Sequence, residues 1–170
     1  MKKISFLVIA IVSVLCLQAT KSNAQLSIGL APGALIFPDD EITQIGVGVS
    51  VKYKFNTNMR VGAELGYYFK KEDIVTTSTM PIGASFEYLF SNGNFRPYVG
   101  VNVGAYNVGA KIEGFGSASE MYFGGAPVVG ADYRLNQNIL LNANVKYHYI
   151  MADPDAVSAI GINLGVAYEL

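Results

Sequence analysis

The chain has 170 residues and a formal net charge of −1, with 51% hydrophobic residues, 15% charged residues, one cysteine and one histidine. This is one domain's worth of sequence. The lone Cys16 leaves no disulfide framework and no thiolate metal site, and the absence of a basic excess argues against nucleic acid as a partner.

The first segment reads as an export signal. Lys2 and Lys3 precede an apolar run, Ile4 to Leu17, and the small residues Ser22 and Ala24 then mark a cleavage site before Gln25. The apolar run is short for a membrane span, which needs about 20 residues. Leu15 before Cys16 does not fit a lipidation site. The expected division is therefore a cleaved signal over 1–24 and a single domain over 25–170. Cleavage removes three lysines and no acid, so nine basic residues face thirteen acidic ones, a net of −4.

From there the period is two. In "QIGVGVSVKYKFN", Ile45, Val47, Val49, Val51, Tyr53 and Phe55 alternate with Gly46, Gly48, Ser50, Lys52, Lys54 and Asn56. "MRVGAELGYYFK" and "NILLNANVKYHYIM" repeat the pattern. The closing "AIGINLGVAYEL" sets Ile160, Ile162, Leu164, Val166, Tyr168 and Leu170 against Gly161, Asn163, Gly165, Ala167 and Glu169. Side chains of a strand point to opposite faces in turn, so such alternation predicts strands. Eight runs are expected, over 26–37, 44–56, 58–70, 78–90, 94–108, 120–135, 138–151 and 158–170. Eleven tilted strand residues rise about 28 Å, matching the apolar band of a membrane barrel.

Two kinds of connection alternate. "NTN", "SNGN" and "NQN" are tight Asn/Gly turns. "PDDEITQ", "KEDIVTTST", "GAKIEGFGSASE" and "ADPDAVS" read as longer loops. Tight turns at one end and longer loops at the other predict an eight-stranded, antiparallel, up-and-down transmembrane β-barrel, termini periplasmic and longer loops extracellular. The polar face is dominated by glycine and small residues, and the apolar face is bulky on every run. A soluble sandwich would carry Lys, Glu, Thr and Ser on its polar face, and a narrow barrel could not hold the bulky face inside. The bulky face is therefore assigned to lipid.

Aromatic residues of that face gather near run ends. Tyr53, Phe55, Tyr88, Phe90, Phe95, Tyr133 and Tyr168 form one expected girdle, and Tyr67, Phe69, Phe123, Tyr147 and Tyr149 the other. The opposite face carries Lys52, Lys54, Arg60, Glu64, Glu87, Arg96, Asp132, Arg134, Lys146, His148 and Glu169. Charges turned into a narrow lumen must be paired. Arg60, Arg96, Arg134 and Lys52 are expected to bridge Glu64, Glu87 and Asp132. The arrangement would serve either as a plug or as an ion path.

The stretch "PYVG" at Pro97–Gly100, followed by Gly104 in "FRPYVGVNVGAYNVG", resembles the same strand of the small outer-membrane β-barrel family, which includes OmpX, the OmpA membrane domain, OmpW and opacity-type proteins. The C-terminal strand fits at Val166 and Tyr168 and departs at Leu170, where the family commonly has Phe. The resemblance implies a monomer in outer-membrane lipid and lipopolysaccharide, its last strand read by the barrel-assembly machinery. The implied role is structural or surface interaction. The alternatives are an OmpW-like narrow pore or carrier for small or apolar solutes and, third, a lipid-modifying barrel. Lipid A deacylase barrels carry His-x-Ser, whereas His148 is followed by Tyr149 and Ile150. No catalytic, cofactor or metal residues are assigned.

Overall fold

The computed structural model describes residues 25–152 and 154–170; the expected export signal over 1–24 lies outside them. Eight strands follow one another, β1 (Gln25–Phe37), β2 (Ile42–Lys54), β3 (Met59–Glu72), β4 (Val75–Leu89), β5 (Phe95–Ile112), β6 (Gly116–Arg134), β7 (Ile139–Met151) and β8 (Val157–Glu169). Each pairs antiparallel with its sequence neighbour, and β1 pairs with β8, closing the barrel. The seam runs from Ser27↔Glu169 to Ile36↔Ile160. The Leu170 amide donates to the Leu26 carbonyl at 2.8 Å, extending the seam by one bond. Among the described residues no helix is long and apolar enough to cross a membrane.

Alternation sorts the side chains as the sequence predicts. Val49, Leu65, Val101, Val145 and Leu164 are exposed on the outer surface, while Lys52, Arg60, Glu87, Asn102 and Asn163 are buried inside. A bulky apolar exterior is favourable only where lipid replaces water, and there the backbone must satisfy itself. Closure does that. Three interruptions in the ladders each coincide with a proline. The β1–β8 pairing skips Pro32, β3–β4 skips Pro81 and β6–β7 skips Pro127, while each proline keeps its pairing on the other side. A residue without an N–H can serve only one neighbour fully.

The expected loops are shorter than the sequence suggests. Four-, two-, three- and five-residue links, 38–41, 73–74, 113–115 and 152–156, join the strands at one end, hereafter the loop end. At the other, the turn end, the links are 55–58, 90–94 and 135–138. Most of "KEDIVTTST" and "GAKIEGFGSASE" is strand, so β4 starts three residues earlier than expected and β5 runs four residues further. Residues 111–120 are exposed throughout. A hairpin wet on both faces has no reason to alternate, so the periodic signal vanishes while the strand continues. Glu41 and Asp73 adopt positive φ, of 53° and 49°, in the short links. The Lys71 ammonium donates to Glu113 at 2.6 Å, tying β3 to the β5–β6 turn and holding that carboxyl below its ordinary range.

The lumen is crowded enough that large side chains need a space opposite. Tyr98 on β5 lies over Gly130 on β6, its register partner. A Cβ at Gly130 would stand 2.6 Å from the Tyr98 ring and 2.7 Å from the Ala143 carbonyl oxygen. Gly130→Ala is therefore expected to lower stability by about 1–3 kcal/mol through overpacking. Gly93→Ala, in a turn with only the Ser91 hydroxyl nearby at 3.5 Å, serves as the control. Urea midpoints of the refolded variants in lipid vesicles check this; equal midpoints would show that the lumen yields easily.

Candidate functional site

The lumen is layered. At the turn end, Glu169 of β8 takes Arg96 of β5 at 3.1 Å and also Arg134 of β6. Here the structure corrects the expected pairing, because Arg96 and Arg134 serve this carboxylate and not Glu64, Glu87 or Asp132. Parity gives the face of a residue but not its height. Arg96 stands in register with Asp132 of β6, and Arg134 lies two residues beyond Asp132 toward the turn, so both reach the end of the last strand. Lys54 also stands apart. Its Nζ donates to Asn92 Oδ1 at 3.1 Å in the adjacent turn, and among the described residues it has no ion pair.

One layer up, Glu87 of β4 is fully buried between two cations. Lys52 Nζ donates to its Oε1 at 2.8 Å, and Arg60 Nε donates to its Oε2. Arg60 also reaches across the lumen, where Nη1 donates to Asp132 of β6. The guanidinium carbon lies 4.6 Å from the centroid of the Tyr98 ring, a cation–π stack that covers its face. Asp132 accepts a further bond from Asn142 Nδ2 at 2.6 Å. Arg60 thus joins β3 to β4 and β6 through one planar group, which suits a fork of fixed donors.

Above it, Glu64 is held by Lys146 and by Lys52, the latter at 3.3 Å, and accepts from Asn102 Nδ2 at 2.8 Å. A relay of amides leads on. Asn144 donates to Asn142 Oδ1 at 2.7 Å, Asn163 donates to Asn144 Oδ1 at 3.2 Å, and the Tyr68 hydroxyl donates to Asn163 Oδ1 at 2.7 Å. His148 lies in this part of the lumen but not among the ion pairs. Its Nδ1 shares a 2.9 Å hydrogen bond with the Tyr106 hydroxyl. A void of about 70 Å³ remains beside these groups and one of about 30 Å³ below. The fourth layer is apolar, with Leu35, Phe37, Tyr68, Tyr106, Ile150 and Ala159 packed together.

The expected lumen network does not include Tyr68, Tyr98, Tyr106, Asn102, Asn142, Asn144 or Asn163, although each shares the parity of the charged residues on its strand. The girdle pattern points to outward rings, and the lumen rings have the other parity. Of the twelve girdle residues, eleven are exposed and Tyr53 is partly buried. Phe55 and Phe90 fall just outside the strands, in the turns. Tyr67 and Phe69, and Tyr88 and Phe90, pair along their strands with ring centroids 6.0 and 5.4 Å apart. Among the described residues no group of His, Cys, Asp or Glu is arranged to hold a metal.

Removing a buried partner leaves the opposite charge stranded, at a cost of about 3–5 kcal/mol. Glu87→Ala is expected to lose that much stability. Arg60→Ala should lose a comparable amount, and the double variant less than the two losses added. Urea unfolding in lipid vesicles measures all three; strict additivity would show that the two side chains do not share an interaction.

Comparison with known proteins agrees with this architecture. The family model for the outer membrane protein beta-barrel domain matches residues 4–169. The Opa protein of Haemophilus influenzae is 32% identical over 117 residues, covering 65% of this chain and 93% of its own. Among solved structures, Neisserial surface protein A superposes with a TM-score of 0.73 at 19% identity, covering 88% of this chain and 98% of its own. Ail, the attachment invasion locus protein of Yersinia pestis, bound to the heparin analogue sucrose octasulfate, gives 0.61 at 17%, covering 86% and 97%. With its closed ladder of eight strands, its apolar exterior and its polar interior, the chain belongs to the outer-membrane β-barrel family of Gram-negative bacteria.

Proposed function

We propose that this is a non-conducting, monomeric outer-membrane barrel with a structural or surface-interaction role, its lumen plugged by the charged network. The observation that carries the reading is Arg60 spanning the lumen from Glu87 to Asp132, all three side chains at most 7% exposed. The voids beside the network, about 70 and 30 Å³, hold a few waters and not a continuous ion path. In this reading the outward rings lie at the two headgroup levels, the termini are periplasmic, and strand β8 is what the assembly machinery reads. The names of two structurally similar proteins, a surface protein and an attachment protein, support a role at the cell surface. The charge at the loop end makes a sulfated polyanion, as bound to Ail, a poor partner here. Asp39, Asp40, Glu41, Glu72, Asp73, Glu113 and Glu120 outnumber Lys70, Lys71 and Lys111 in that region.

Purified protein reconstituted in planar lipid bilayers is expected to give no discrete conductance steps at either polarity. Reproducible unitary steps from the wild-type chain would overturn the plugged reading.

Orientation has its own test, made clean by the absence of cysteine from residues 25–170. In intact cells, a membrane-impermeant maleimide should label Phe115→Cys, where the native ring at the β5–β6 tip is 88% exposed, and spare Gln137→Cys in the turn between β6 and β7. The reverse pattern would invert the assignment of the two ends.

A further inference from the structure

The loop end of the lumen opens into a cup of about 410 Å³, within the size range of small-molecule sites. Its lining is mainly apolar, with Phe37, Ile42, Val108, Tyr122, Ile150 and Val157 contributed by six different strands. The packed layer of Leu35, Phe37 and Ile150 closes it below, so the cup is blind. Two polar side chains bordering it are buried with an unpartnered oxygen. Gln44 on β2 is 3% exposed and Thr79 on β4 is 0% exposed, and neither Gln44 Oε1 nor Thr79 Oγ1 has a hydrogen-bond partner.

Leaving a buried polar atom unsatisfied costs about 1–3 kcal/mol. Neither atom is needed to line an apolar cup, since Val or Leu would fill the same space without that cost. An amide oxygen accepts a hydrogen bond, and a threonine hydroxyl both donates and accepts; together they suit a ligand hydroxyl, which also does both. The charged side chains at the cup are the carboxylates Asp40 and Glu120, and no basic residue lines it among the described residues. That sign disfavours an anion.

We propose that the cup is a binding site for a small, uncharged, apolar molecule bearing a hydroxyl group. Its hydrocarbon body rests on Phe37, Ile150 and Val157. Its hydroxyl is taken by Gln44 and Thr79, the latter turning about χ1 to meet it. The site is independent of the plug, because the layer beneath it is closed whether or not the lower lumen conducts.

The test uses methyl-labelled protein in lipid nanodiscs and three probes of one shape: 2-naphthol, naphthalene and 2-naphthoate. Saturable methyl shifts are expected at Ile42, Ile150 and Val157 with 2-naphthol. Non-saturable shifts at the outward Ile82 and Ile162 report partition into lipid and are subtracted. Naphthalene and 2-naphthoate should bind at least about fivefold more weakly, the worth of one net hydrogen bond. Thr79→Val and Gln44→Leu, which keep shape and remove the polar atoms, should weaken 2-naphthol to the same degree and leave naphthalene unchanged. Absence of saturable shifts would overturn the proposal. So would equal affinity for naphthalene, tighter binding of 2-naphthoate, or indifference of 2-naphthol to both substitutions.

Discussion

Closure of the backbone ladder is the constraint on which the other features depend. A strand in lipid has no water to satisfy its amides and carbonyls, so every edge must find a partner. With eight strands the circle is small, and the lumen is only as wide as a few side chains. That width then governs composition. Tyr98 needs Gly130 beneath it, and any Cβ there would press on the ring. The same arithmetic explains why glycine, asparagine and serine share the inner face with a few long residues. It also explains how three prolines are tolerated. Each breaks one ladder and keeps the other, so the wall is weakened locally without opening an edge along a whole strand.

The narrow lumen also forces the charges together. In the described lumen, Glu64, Glu87, Asp132 and Glu169 meet Lys52, Arg60, Arg96, Arg134 and Lys146 in a nearly balanced set. Desolvating so many ions is costly, and the mutual attraction offsets that cost only when geometry and further hydrogen bonds are good. Here several of the bonds cross the lumen. Arg60 connects three strands, and Arg96 and Arg134 carry β5 and β6 to the end of β8. Apolar side chains of equal volume would fill the space but would not specify which strands face one another. The network therefore acts as a set of struts that select one cross-section.

Much of this was legible in the sequence because parity is a property of each residue alone. Alternation fixed the inner and outer sets, the strand number and the glycine-rich interior. What it could not carry was height. Arg96 and Arg134 have the right parity for Glu87, yet they end beside Glu169, because the stagger of neighbouring strands decides which layers meet. Nor could it carry strand length beyond the membrane. Lys111 to Glu120 lie in strands or their turn without alternating apolar side chains, since both faces there are wet, and Val75 to Thr79 is mostly threonine and serine, which leaves no apolar side chains to alternate. The lumen tyrosines were hidden for a different reason. An aromatic ring is ambiguous between a headgroup anchor and a filler, and only its surroundings distinguish them: an exposed outer position for Tyr88, the amide of Asn163 for Tyr68.

The vertical order of the lumen has its own logic. Ion pairs gain strength as water is excluded, because the effective dielectric falls. The layer of Leu35, Phe37, Ile150 and Ala159 stands between the network and the open cup. It stands between bulk water and the upper side of the Glu64–Lys146 pair and the amide relay, while Arg96 and Arg134 on Glu169 cover the lower side. The apolar layer and the struts are thus mutually dependent. Hydrating the apolar layer would weaken the ion pairs below it, and breaking the pairs would leave charges that draw water up against the apolar layer. A barrel arranged in this way can vary its loop end freely, because the ion pairs that tie its strands together lie below an apolar layer that does not involve the loops.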